Sequence, residues 1–525
     1  MLDYRPPADT VRALIDQFAV SQPHAVFARF PETGEQITYA ELHRQSRQQQ
    51  CYLAALGLRK GDTVSVMVDN GAAALALFIG VLYGGYRVSP LNPAAGQDQI
   101  EYVLGHSDSA VVFVCPAHID QVHQAVKALP RTIRMITTHQ DRGPAWPLKP
   151  DFQAPIQPLS AQDDGLLMYT SGTTGNPKGV VYSHRSMVLH TFGAMMADTI
   201  GVSERDVVLP VVPMFHANAW GFAHAAVATG ATIVMPGADL SAPSLADIIE
   251  TEKVTVAAGV PTIWMGVLPE LEGRDVSALR AIPCGGSAVP KALSEGFREA
   301  TGLPILQAWG MTETSPLAAV CSIKSTLDHL SIDEKADLRT SIGLISPGVD
   351  FRIADDETDE EQPWDGESRG ELQVRGPWVA KEYYNDERAN ESFTDDGWLK
   401  TGDVATCDSE GYIRLVDRTK DLIKSGGEWI SSVELENEIM AHPDVVEAAV
   451  IGVTSTKWGE RAMACVVVTE GASLTSEDIL EWLDGRIAKW WMPDRVEFIE
   501  EVPKTSVGKF SKKTLRSQFA DVVVD

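Results

Sequence analysis

The sequence predicts an α/β protein in which a large N-terminal domain, with parallel sheets and a β-rich subdomain, precedes a small α+β domain. Two patterns predict this fold: strands alternate with helices in the first part of the chain, and shorter polar strand patterns replace them after Phe351. Length is the third observation, because 525 residues exceed what one hydrophobic core usually serves. We therefore expect at least two domains.

Helices and strands alternate over the first part of the chain. Apolar residues recur at helical spacing in two segments, and three short runs are typical of buried strands. Strands that alternate with helices predict a parallel sheet. The helices are expected at 38–58, with Gly57 as the stop, and at 72–85, and the strands at 63–68, 111–115 and 135–138.

A β-rich subdomain is predicted after Phe351, where apolar and polar residues alternate over short segments. Such alternation is typical of antiparallel strands with one solvated face. The acidic run at 355–368 is interpreted as a solvated turn. The strands are expected at 351–357, 370–376 and 411–418.

The chain beyond Arg418 has the pattern of a separate α+β unit, with a helix, two strands, a further helix and a terminal helix. A unit of this size can fold as a domain of its own. We therefore predict an N-terminal domain of residues 1–418 and a C-terminal domain of residues 419–525.

Composition and charge exclude several classes of protein. Apolar residues make up 44% of the chain and charged residues 22%, as in globular enzymes rather than disordered or fibrous chains. The net charge of −28 would repel the phosphates of nucleic acid and of anionic membranes. A site for polyanionic substrates would therefore have to be locally basic.

The six cysteines are scattered and include no CxxC pair, so we expect neither disulfides nor a metal site among them. A reduced cytoplasm fits this usage best. The first 24 residues lack the basic and apolar regions of a signal peptide, and no window approaches 18 uninterrupted apolar residues, so no membrane insertion is expected.

A candidate phosphate-binding loop reads YTSGTTGNPKG at 169–179. Its glycines let the backbone approach a ligand, its hydroxyls and N–H groups can donate hydrogen bonds, and its lysine adds a mobile charge. It is not a Walker A loop, because no GK pair precedes a hydroxyl residue. A surface loop rich in turn-forming residues is the alternative. The residues proposed to bind phosphate are Thr170, Ser171, Gly172, Thr173, Thr174, Gly175 and Lys178.

This string resembles the signature loop of the adenylate-forming superfamily, which includes acyl-CoA synthetases, peptide-synthetase adenylation domains and firefly luciferase. The similarity extends from about Ile37 to Arg516 and is greatest to bacterial medium- and long-chain fatty acyl-CoA synthetases. The resemblance implies ATP and coenzyme A as substrates, Mg²⁺ as cofactor, a C-terminal domain that rotates between two half-reactions, and a homodimer.

The segment 307–314, QAWGMTET, resembles the family's adenine-binding strand. The resemblance places Glu313 and Thr170 near Mg²⁺, which prefers hard oxygen ligands and few protein carboxylates. Without the resemblance, Thr312 and Glu313 would equally suit the start of a helix. The residues that it places along the nucleotide are Gln307, Ala308, Trp309 and Thr312.

Two acidic motifs, at 401–403 and 417–421, resemble the family's ribose-binding segments. The resemblance makes Asp403 the acceptor of hydrogen bonds from both ribose hydroxyls, which a carboxylate can accept together. Arg418 would reinforce that contact. A β-turn at Gly402 and a surface ion pair at Arg418 are the alternatives.

The segment 422–436 contains a glycine pair just before a predicted helix start at Ser432. By resemblance, Lys424 and Trp429 contact the nucleotide, and Gly426 and Gly427 form part of a coenzyme A tunnel after the domain rotates. Lys420 occupies the position of the family's pivot, and a residue that is neither Pro nor β-branched suits a hinge.

A late glycine-preceded lysine is the candidate catalytic residue. Lys509 follows Gly508 in PKTSVGK and could stabilise negative charge that develops on the α-phosphate during adenylation. The family's catalytic lysine occupies this place. Lys504, Lys512 and Lys513 are expected to be solvated.

The acid pocket is expected near the segments 211–221 and 283–288, which resemble the family's pocket walls. The resemblance implies that His216 is a catalytic residue beside the substrate carboxylate and that Trp220 is a gate of the acyl tunnel. Without the resemblance, both residues, with Met214, would be assigned to the core. No aspartate stands near His216 to hold an α-amino group, which weakens an amino-acid substrate. The pocket residues are His216, Trp220, Gly285, Gly286 and Gly310.

The leading functional hypothesis is an AMP-forming ligase that joins an apolar monocarboxylic acid, most simply a medium- or long-chain fatty acid, to coenzyme A. A short thioether acid such as methylmercaptopropionate and an aryl acid such as cinnamate or benzoate are alternatives, as is transfer to a separate carrier protein. A catalytically silent binding protein on this fold is the third class. A silent protein would be expected to have lost the motifs of the family. The six residues that carry them are all intact in this sequence: Thr170, Lys178, Glu313, Asp403, Arg418 and Lys509.

Overall fold

The computed structural model describes residues 9–138, 154–170, 176–355, 358–426, 428–469, 471–505 and 508–524. The α-helices are α1 (Val11–Ser21), α2 (Tyr39–Ala55), α3 (Ala72–Gly84), α4 (Gln97–His106), α5 (Ile119–Ala128), α6 (His184–Met195), α7 (Phe222–Thr229), α8 (Ala242–Thr251), α9 (Pro261–Glu270), α10 (Lys291–Thr301), α11 (Ile332–Leu338), α12 (Ser432–Met440), α13 (Ser476–Leu483) and α14 (Lys512–Gln518).

Strands occur throughout the described residues, between the helices. They are β1 (Val26–Phe30), β2 (Glu35–Thr38), β3 (Thr63–Met67), β4 (Arg87–Pro90), β5 (Ser109–Val114), β6 (Arg134–Thr137), β7 (Asp164–Tyr169), β8 (Gly179–Ser183), β9 (Val207–Pro210), β10 (Thr232–Val234), β11 (Val256–Ala258), β12 (Pro283–Gly285), β13 (Leu306–Gly310), β14 (Leu317–Val320), β15 (Leu344–Ile345), β16 (Asp350–Ala354), β17 (Gly370–Arg375), β18 (Leu399–Cys407), β19 (Ile413–Arg418), β20 (Ile423–Ser425), β21 (Glu428–Ile430), β22 (Val445–Ser455), β23 (Gly459–Val468), β24 (Arg495–Phe498) and β25 (Val523–Val524).

Two mainly parallel sheets form the body of the N-terminal part. Their strand orders are β6-β5-β3-β4-β7-β8 and β11-β9-β10-β1-β2. The pairs β7/β8 and β1/β2 are antiparallel, and the other neighbours are parallel. One apolar core joins the two sheets, with Phe27, Val64 and Phe222 among its buried side chains. The predicted α/β fold with parallel sheets is thus confirmed.

The sequence signals at both ends of α2, the helix that follows β1 and β2, have a physical explanation in the structure. Thr38 and Glu41 form a reciprocal capping box at the start of α2, which satisfies two backbone donors that the helix itself leaves free. The helix ends at Ala55, and Gly57 follows with φ of 90°, a left-handed conformation that glycine adopts without strain. The predicted stop at Gly57 therefore has its physical reason.

The β-rich subdomain is an antiparallel sheet of order β16-β17-β18-β19. Its register places Asp403 opposite Arg418. A smaller sheet, β12-β13-β14-β15, lies beside it in the chain order and carries the segment 306–310. The described residues of the acidic run that follow β16 are mostly exposed, as expected of a turn.

The C-terminal part is an α+β unit whose sheet has the order β21-β20-β23-β22-β25, with β24 beside β23. The helix α12 begins at Ser432, as predicted. Ser431 is the N-cap, since its hydroxyl accepts a hydrogen bond from the Glu434 N–H at 3.1 Å, whereas Ser432 donates its N–H to Asp417 at 2.7 Å. Gly426, with φ of 62°, lies in a turn that follows the short strand β20.

Within the described ranges, the helices are all too short or too polar to cross a lipid bilayer. All six cysteines are free and buried.

Candidate active site

A cavity of about 2130 Å³ lies between the N-terminal sheets, the β-rich subdomain and the C-terminal unit. Its walls come from the carboxyl ends of β4, β7 and β12, from β13 and from the β18/β19 pair, and Thr505 and residues 509–513 of the C-terminal unit face them. The structure brings most of the predicted site residues to this one cavity. Those that line it are Thr170, Lys178, His216, Trp220, Gly285, Gly286, Gln307, Ala308, Trp309, Gly310, Thr312, Glu313, Asp403, Arg418, Lys420 and Lys509.

The phosphate-loop residues Ser171, Gly172, Thr173, Thr174 and Gly175 lie outside the described residues. The two ends of that loop are described, and they meet. The Thr170 N–H donates to the Lys178 carbonyl at 2.9 Å, which closes the loop at its base.

The Lys178 side chain is held at one side of the cavity. Its ammonium donates to the Ser392 hydroxyl at 3.2 Å and lies 4.6 Å from the centre of the Tyr383 ring. Neither partner was predicted from the sequence, because both lie more than 200 residues away and carry no motif of their own. Lys178 is thus positioned before any ligand is bound.

Glu313 is a buried carboxylate, 5% exposed, in the 3₁₀ turn that follows β13. Burial raises the pKa of its carboxyl group, while the Tyr383 hydroxyl donates to Oε1 at 2.7 Å. A buried anion of this kind is stabilised by a nearby cation. Thr170 lines the same cavity, and a carboxylate and a hydroxyl oxygen are donors of the kind that Mg²⁺ accepts.

The strand β13 forms a flat wall of the cavity. The Gln307 amide nitrogen donates to the Thr340 carbonyl at 3.4 Å, while its buried carbonyl oxygen has no hydrogen-bond partner within the described residues. This oxygen can accept a hydrogen bond from a ligand. A Cβ on Gly310 would collide with the Pro316 carbonyl, so only glycine fits there. Gly310 thus has a packing reason besides its place in the pocket.

Asp403 has both carboxylate oxygens engaged by side chains that point into the cavity. Oδ1 pairs with Arg418 Nε at 2.8 Å, and Oδ2 accepts from Trp309 Nε1 at 2.9 Å. Asp403 is 2% exposed, while the Arg418 side chain is half exposed. Each oxygen keeps a second lone pair, so the carboxylate can still accept hydrogen bonds from a diol.

Lys509 enters the cavity from the C-terminal unit. Gly508 accepts a hydrogen bond from the Thr262 hydroxyl at 2.9 Å, and the Lys509 N–H donates to the Thr505 hydroxyl at 3.2 Å. A Cβ on Gly286 would stand 2.8 Å from Lys509 Cε, so glycine there makes room for the lysine. Burial, and then the positive charge of Arg418, lowers the pKa of Lys509 to about 8.

His216 lies close to Lys509, and burial followed by that positive charge lowers its pKa to about 3. The imidazole is therefore neutral at pH 7, where it can donate one hydrogen bond and accept another.

The acid-pocket segment has unusual backbone geometry. Residues 217–220 all have positive φ, which turns the chain sharply ahead of α7. The Trp220 ring reaches to 3.7 Å from a Cβ built on Gly285, where a side chain would also collide with the Ala308 carbonyl. Trp220 thus lies across a glycine that leaves a narrow passage. Met214, 2% exposed, belongs to the core, as the alternative for this segment expected.

Three predicted residues lie away from the cavity in this arrangement. Lys424, Gly426 and Trp429 are on the β20/β21 hairpin, where the Lys424 ammonium lies 5.0 Å from the Trp429 ring centre. A Cβ on Gly426 would stand 2.8 Å from the Trp458 ring. Gly427 lies outside the described residues.

The expectation that Lys512 is solvated was wrong. Its ammonium forms an ion pair with Glu436 at 2.7 Å and donates to the Ser432 hydroxyl. Two neighbouring carboxylates therefore outweigh burial and raise the pKa of Lys512. Lys504 is partly exposed and pairs with Glu447 at 2.7 Å.

Lys420 borders the cavity at the junction of the two predicted domains, and burial lowers its pKa. Next to it, Asp421 forms an ion pair with Arg516 of α14, at 2.7 Å.

Comparisons with known proteins agree over the whole chain. The family model of the AMP-binding enzymes matches residues 15–384, and that of the AMP-binding enzyme C-terminal domain matches residues 434–509. A long-chain-fatty-acid–CoA ligase of Thermus thermophilus is 42% identical over 93% of this chain and 91% of its own length. A 3-methylmercaptopropionyl-CoA ligase of Ruegeria pomeroyi is 39% identical over 98% of each chain.

Solved structures give the same result. The ATP-bound MatB of Rhodopseudomonas palustris superposes with a TM-score of 0.85 at 28% identity, over 98% of this chain and 99% of that chain. The family resemblance stated from the motifs is confirmed: this chain belongs to the AMP-binding enzymes of the adenylate-forming superfamily.

Proposed function

We propose that the protein is an ATP-dependent acyl-CoA ligase that first forms an acyl-adenylate and then a thioester with coenzyme A. The observation that carries the proposal is the meeting of Lys509, Asp403 and Glu313, from three distant parts of the chain, at one cavity. A cation, a diol acceptor and a magnesium ligand are the groups that adenylation of a carboxylic acid requires.

In the first half-reaction, a carboxylate oxygen of the acid attacks the α-phosphorus of ATP, and the bond to the bridging oxygen of pyrophosphate breaks. Lys509 is proposed to stabilise the charge that develops on the α-phosphate, and the neutral His216 to hold the acid carboxylate by its N–H. Mg²⁺, held by Thr170 and Glu313, would supply positive charge at the phosphates. The phosphate loop, with Lys178 at its base, is proposed to bind the remaining phosphates.

The nucleoside is proposed to lie along β13. Gln307 has a free carbonyl oxygen that suits the adenine amino group, and Ala308 and Trp309, with Thr312 at its end, complete that wall. Asp403 would accept the ribose hydroxyls, with Arg418 beside it.

In the second half-reaction, the coenzyme A thiol, after losing its proton, attacks the acyl carbonyl and AMP leaves. We propose that Lys420 is the pivot on which residues 419–525 rotate as a mobile domain. That rotation would bring Lys424, Gly426 and Trp429 from outside the cavity to the nucleotide and the coenzyme A tunnel, of which Gly427 is proposed to form part. Only such a motion would give the β20/β21 hairpin a role at the site.

The proposed acid is a medium- or long-chain fatty acid. The apolar Trp220 ring lies beside Gly285, and both residues line the cavity with Gly286, where the missing side chains leave room for an acyl chain. The Ruegeria relative keeps methylmercaptopropionate open, and the feruloyl-CoA synthase of Amycolatopsis, 35% identical over 95% of this chain and 96% of its own length, keeps aryl acids open. Loading of a separate carrier protein remains the alternative for the second step.

The deciding experiment measures release of AMP and pyrophosphate with a panel of straight-chain, thioether and aryl acids, with and without coenzyme A. The proposal expects acid-dependent pyrophosphate release, a thioester only with coenzyme A, and the highest kcat/KM for an aliphatic chain of at least medium length. Adenylate without any thioester would contradict the ligase. A higher kcat/KM for a short or aryl acid would contradict the fatty-acid assignment alone.

A homodimer and a cytoplasmic location stay predictions. Light scattering of the purified protein would test the first, and cell fractionation the second.

A further inference from the structure

We propose that Asp69, Cys115 and His118 form a binding site for a divalent transition metal of the zinc class, separate from the large cavity. Asp69 follows the carboxyl end of β3, Cys115 that of β5, and His118 ends the 3₁₀ turn that leads into α5. Their ligand atoms all lie within 4.8 Å of one another. The expectation that the cysteines offer no metal site missed Cys115 and His118, which are separated by only two residues.

The distances between the ligand atoms fit a tetrahedral ion. Cys115 Sγ lies 3.7 Å from Asp69 Oδ2, and His118 Nε2 lies 3.5 Å from Asp69 Oδ1. Zinc bonds of about 2.3 Å to sulfur and about 2.1 Å to nitrogen and oxygen, at tetrahedral angles, separate sulfur from oxygen by about 3.6 Å and nitrogen from oxygen by about 3.4 Å. The two observed separations, which involve the two different oxygens of the Asp69 carboxylate, are of the size that ligands of one zinc ion have.

Without an ion, the Cys115 thiol donates a hydrogen bond to the Asp69 carboxylate, whereas hydrogen bonding explains the spacing of His118 and Asp69 less well. Hydrogen bonds between nitrogen and oxygen are shortest near 2.9 Å, and the 3.5 Å between His118 and Asp69 is at the outer limit. His118 Nε2 is buried and makes no hydrogen bond to any residue of the described ranges. A shared ion would give that nitrogen a partner.

An open coordination position is also present. A cavity of about 60 Å³ is lined by Asp69, Cys115 and Thr138, enough for one or two water molecules. Thr138 is 2% exposed, and within the described part of the chain its hydroxyl has no hydrogen-bond partner. A metal-bound water in this cavity would supply both the fourth ligand and a partner for that hydroxyl.

The ligand set selects the ion. A thiolate and an imidazole favour Zn²⁺ and similar ions over Mg²⁺, so the magnesium that accompanies ATP would not compete. The Cys115 thiol would release its proton to solvent as the metal–sulfur bond forms.

The site adjoins the acid pocket through the next residue in the chain. Asn70 accepts a hydrogen bond from the Met214 N–H at 2.8 Å and donates to the Val212 carbonyl at 3.3 Å. This segment leads directly to His216. An ion on Asp69 would therefore fix the turn that supports one wall of the acid pocket.

Titration of the metal-free full chain with Co²⁺, without nucleotide or Mg²⁺, tests the site directly. We expect one equivalent to bind tetrahedrally, with a thiolate-to-cobalt charge-transfer band that Zn²⁺ abolishes. Cys115→Ser should remove the band, and Asp69→Asn and His118→Ala should weaken binding by more than about tenfold, since even residues behind the ligands contribute 10- to 100-fold.

The controls are His123→Ala, an exposed histidine on α5, and Cys465→Ser, a buried cysteine of the C-terminal unit. Both should keep the stoichiometry and the band. Substoichiometric Co²⁺, or a band that persists in Cys115→Ser, would overturn the proposal. Zn²⁺ should also raise the melting temperature of the wild type and not that of His118→Ala, whose partly exposed side chain makes folding tolerant of the change. An equal rise in both would overturn it too.

Discussion

The two faces of the large cavity are held in different ways. On the N-terminal face, both oxygens of Asp403 are engaged by side chains of the same part of the chain, and Glu313 accepts from Tyr383. On the C-terminal face, the loop of Lys509 receives a hydrogen bond across the cavity from Thr262. The nucleotide face is therefore preorganised within one unit, whereas the position of Lys509 depends on how the C-terminal unit docks.

The largest loss of activity is expected from a substitution of Lys509, which belongs to the docked C-terminal face and is proposed to contact the reacting atoms. Lys509→Ala should slow acid-dependent exchange of pyrophosphate into ATP by about 10²- to 10³-fold, the usual cost of removing one group that stabilises developing charge. Thioester formation from supplied acyl-adenylate should change far less, because that step breaks the bond between the acyl carbon and the phosphate oxygen and makes no new bond at phosphorus.

The matched control for this lysine is Lys489→Ala, which removes an exposed lysine of the C-terminal unit that is not among the described residues lining the cavity. It should keep both rates. Exchange within about threefold of the wild type in Lys509→Ala would remove Lys509 from the mechanism.

A substitution on the preorganised nucleotide face should change the KM for ATP more than it changes kcat. Asp403→Asn keeps the shape but loses the charge that pairs with Arg418 and Trp309, so KM for ATP should rise about 10- to 100-fold, as for hydrogen bonds to a charged group. The value of kcat at saturating ATP should fall much less. Asp395→Asn, an exposed aspartate of the neighbouring loop, serves as the control. An unchanged KM for ATP would exclude Asp403 from the ribose site.

The sequence identified candidate residues that meet at the cavity from both faces, but not the residues that hold them there. Asp403, Glu313 and Lys509 stand in short local motifs, so their chemistry can be identified without a structure. Tyr383 and Thr262 act only through contacts between distant segments, which no local pattern encodes.

Lys512 was wrongly expected to be solvated for the same reason, since its partner Glu436 is on another helix. The parallel and antiparallel sheets were predictable because their strands have recognisable patterns in the sequence, namely short apolar runs or alternation of apolar and polar residues. The hairpin at 423–430 was not, because its strands have three residues each and contain no alternation long enough to detect.

Protonation of Lys509 gives a pH test of the docked face. Its pKa is lowered to about 8, so the ammonium is present below that pH and is lost above it. The kcat/KM for adenylation should fall about tenfold per pH unit above pH 8. His216 stays neutral above its pKa of about 3, so no change is expected near pH 6.5.

Lys509→Arg is the informative variant, because a guanidinium stays protonated and should move the falling limb to higher pH even if the rate is lower. A profile that stays flat to pH 10 in the wild type would show that the proton on Lys509 is not required.

The smallest effect should come from the contact that holds the two faces together. Thr262→Val keeps the side-chain shape but removes the hydrogen bond to the Gly508 carbonyl, which should lower the adenylation rate about 2- to 10-fold, as expected of one neutral hydrogen bond. Thioester formation should be unchanged or faster, because the bond holds only the docked arrangement. Thr251→Val, which removes an exposed hydroxyl bond on α8, should alter neither rate. Equal slowing of both half-reactions by Thr262→Val would mean that this threonine supports the fold of the cavity wall rather than the docking of Lys509.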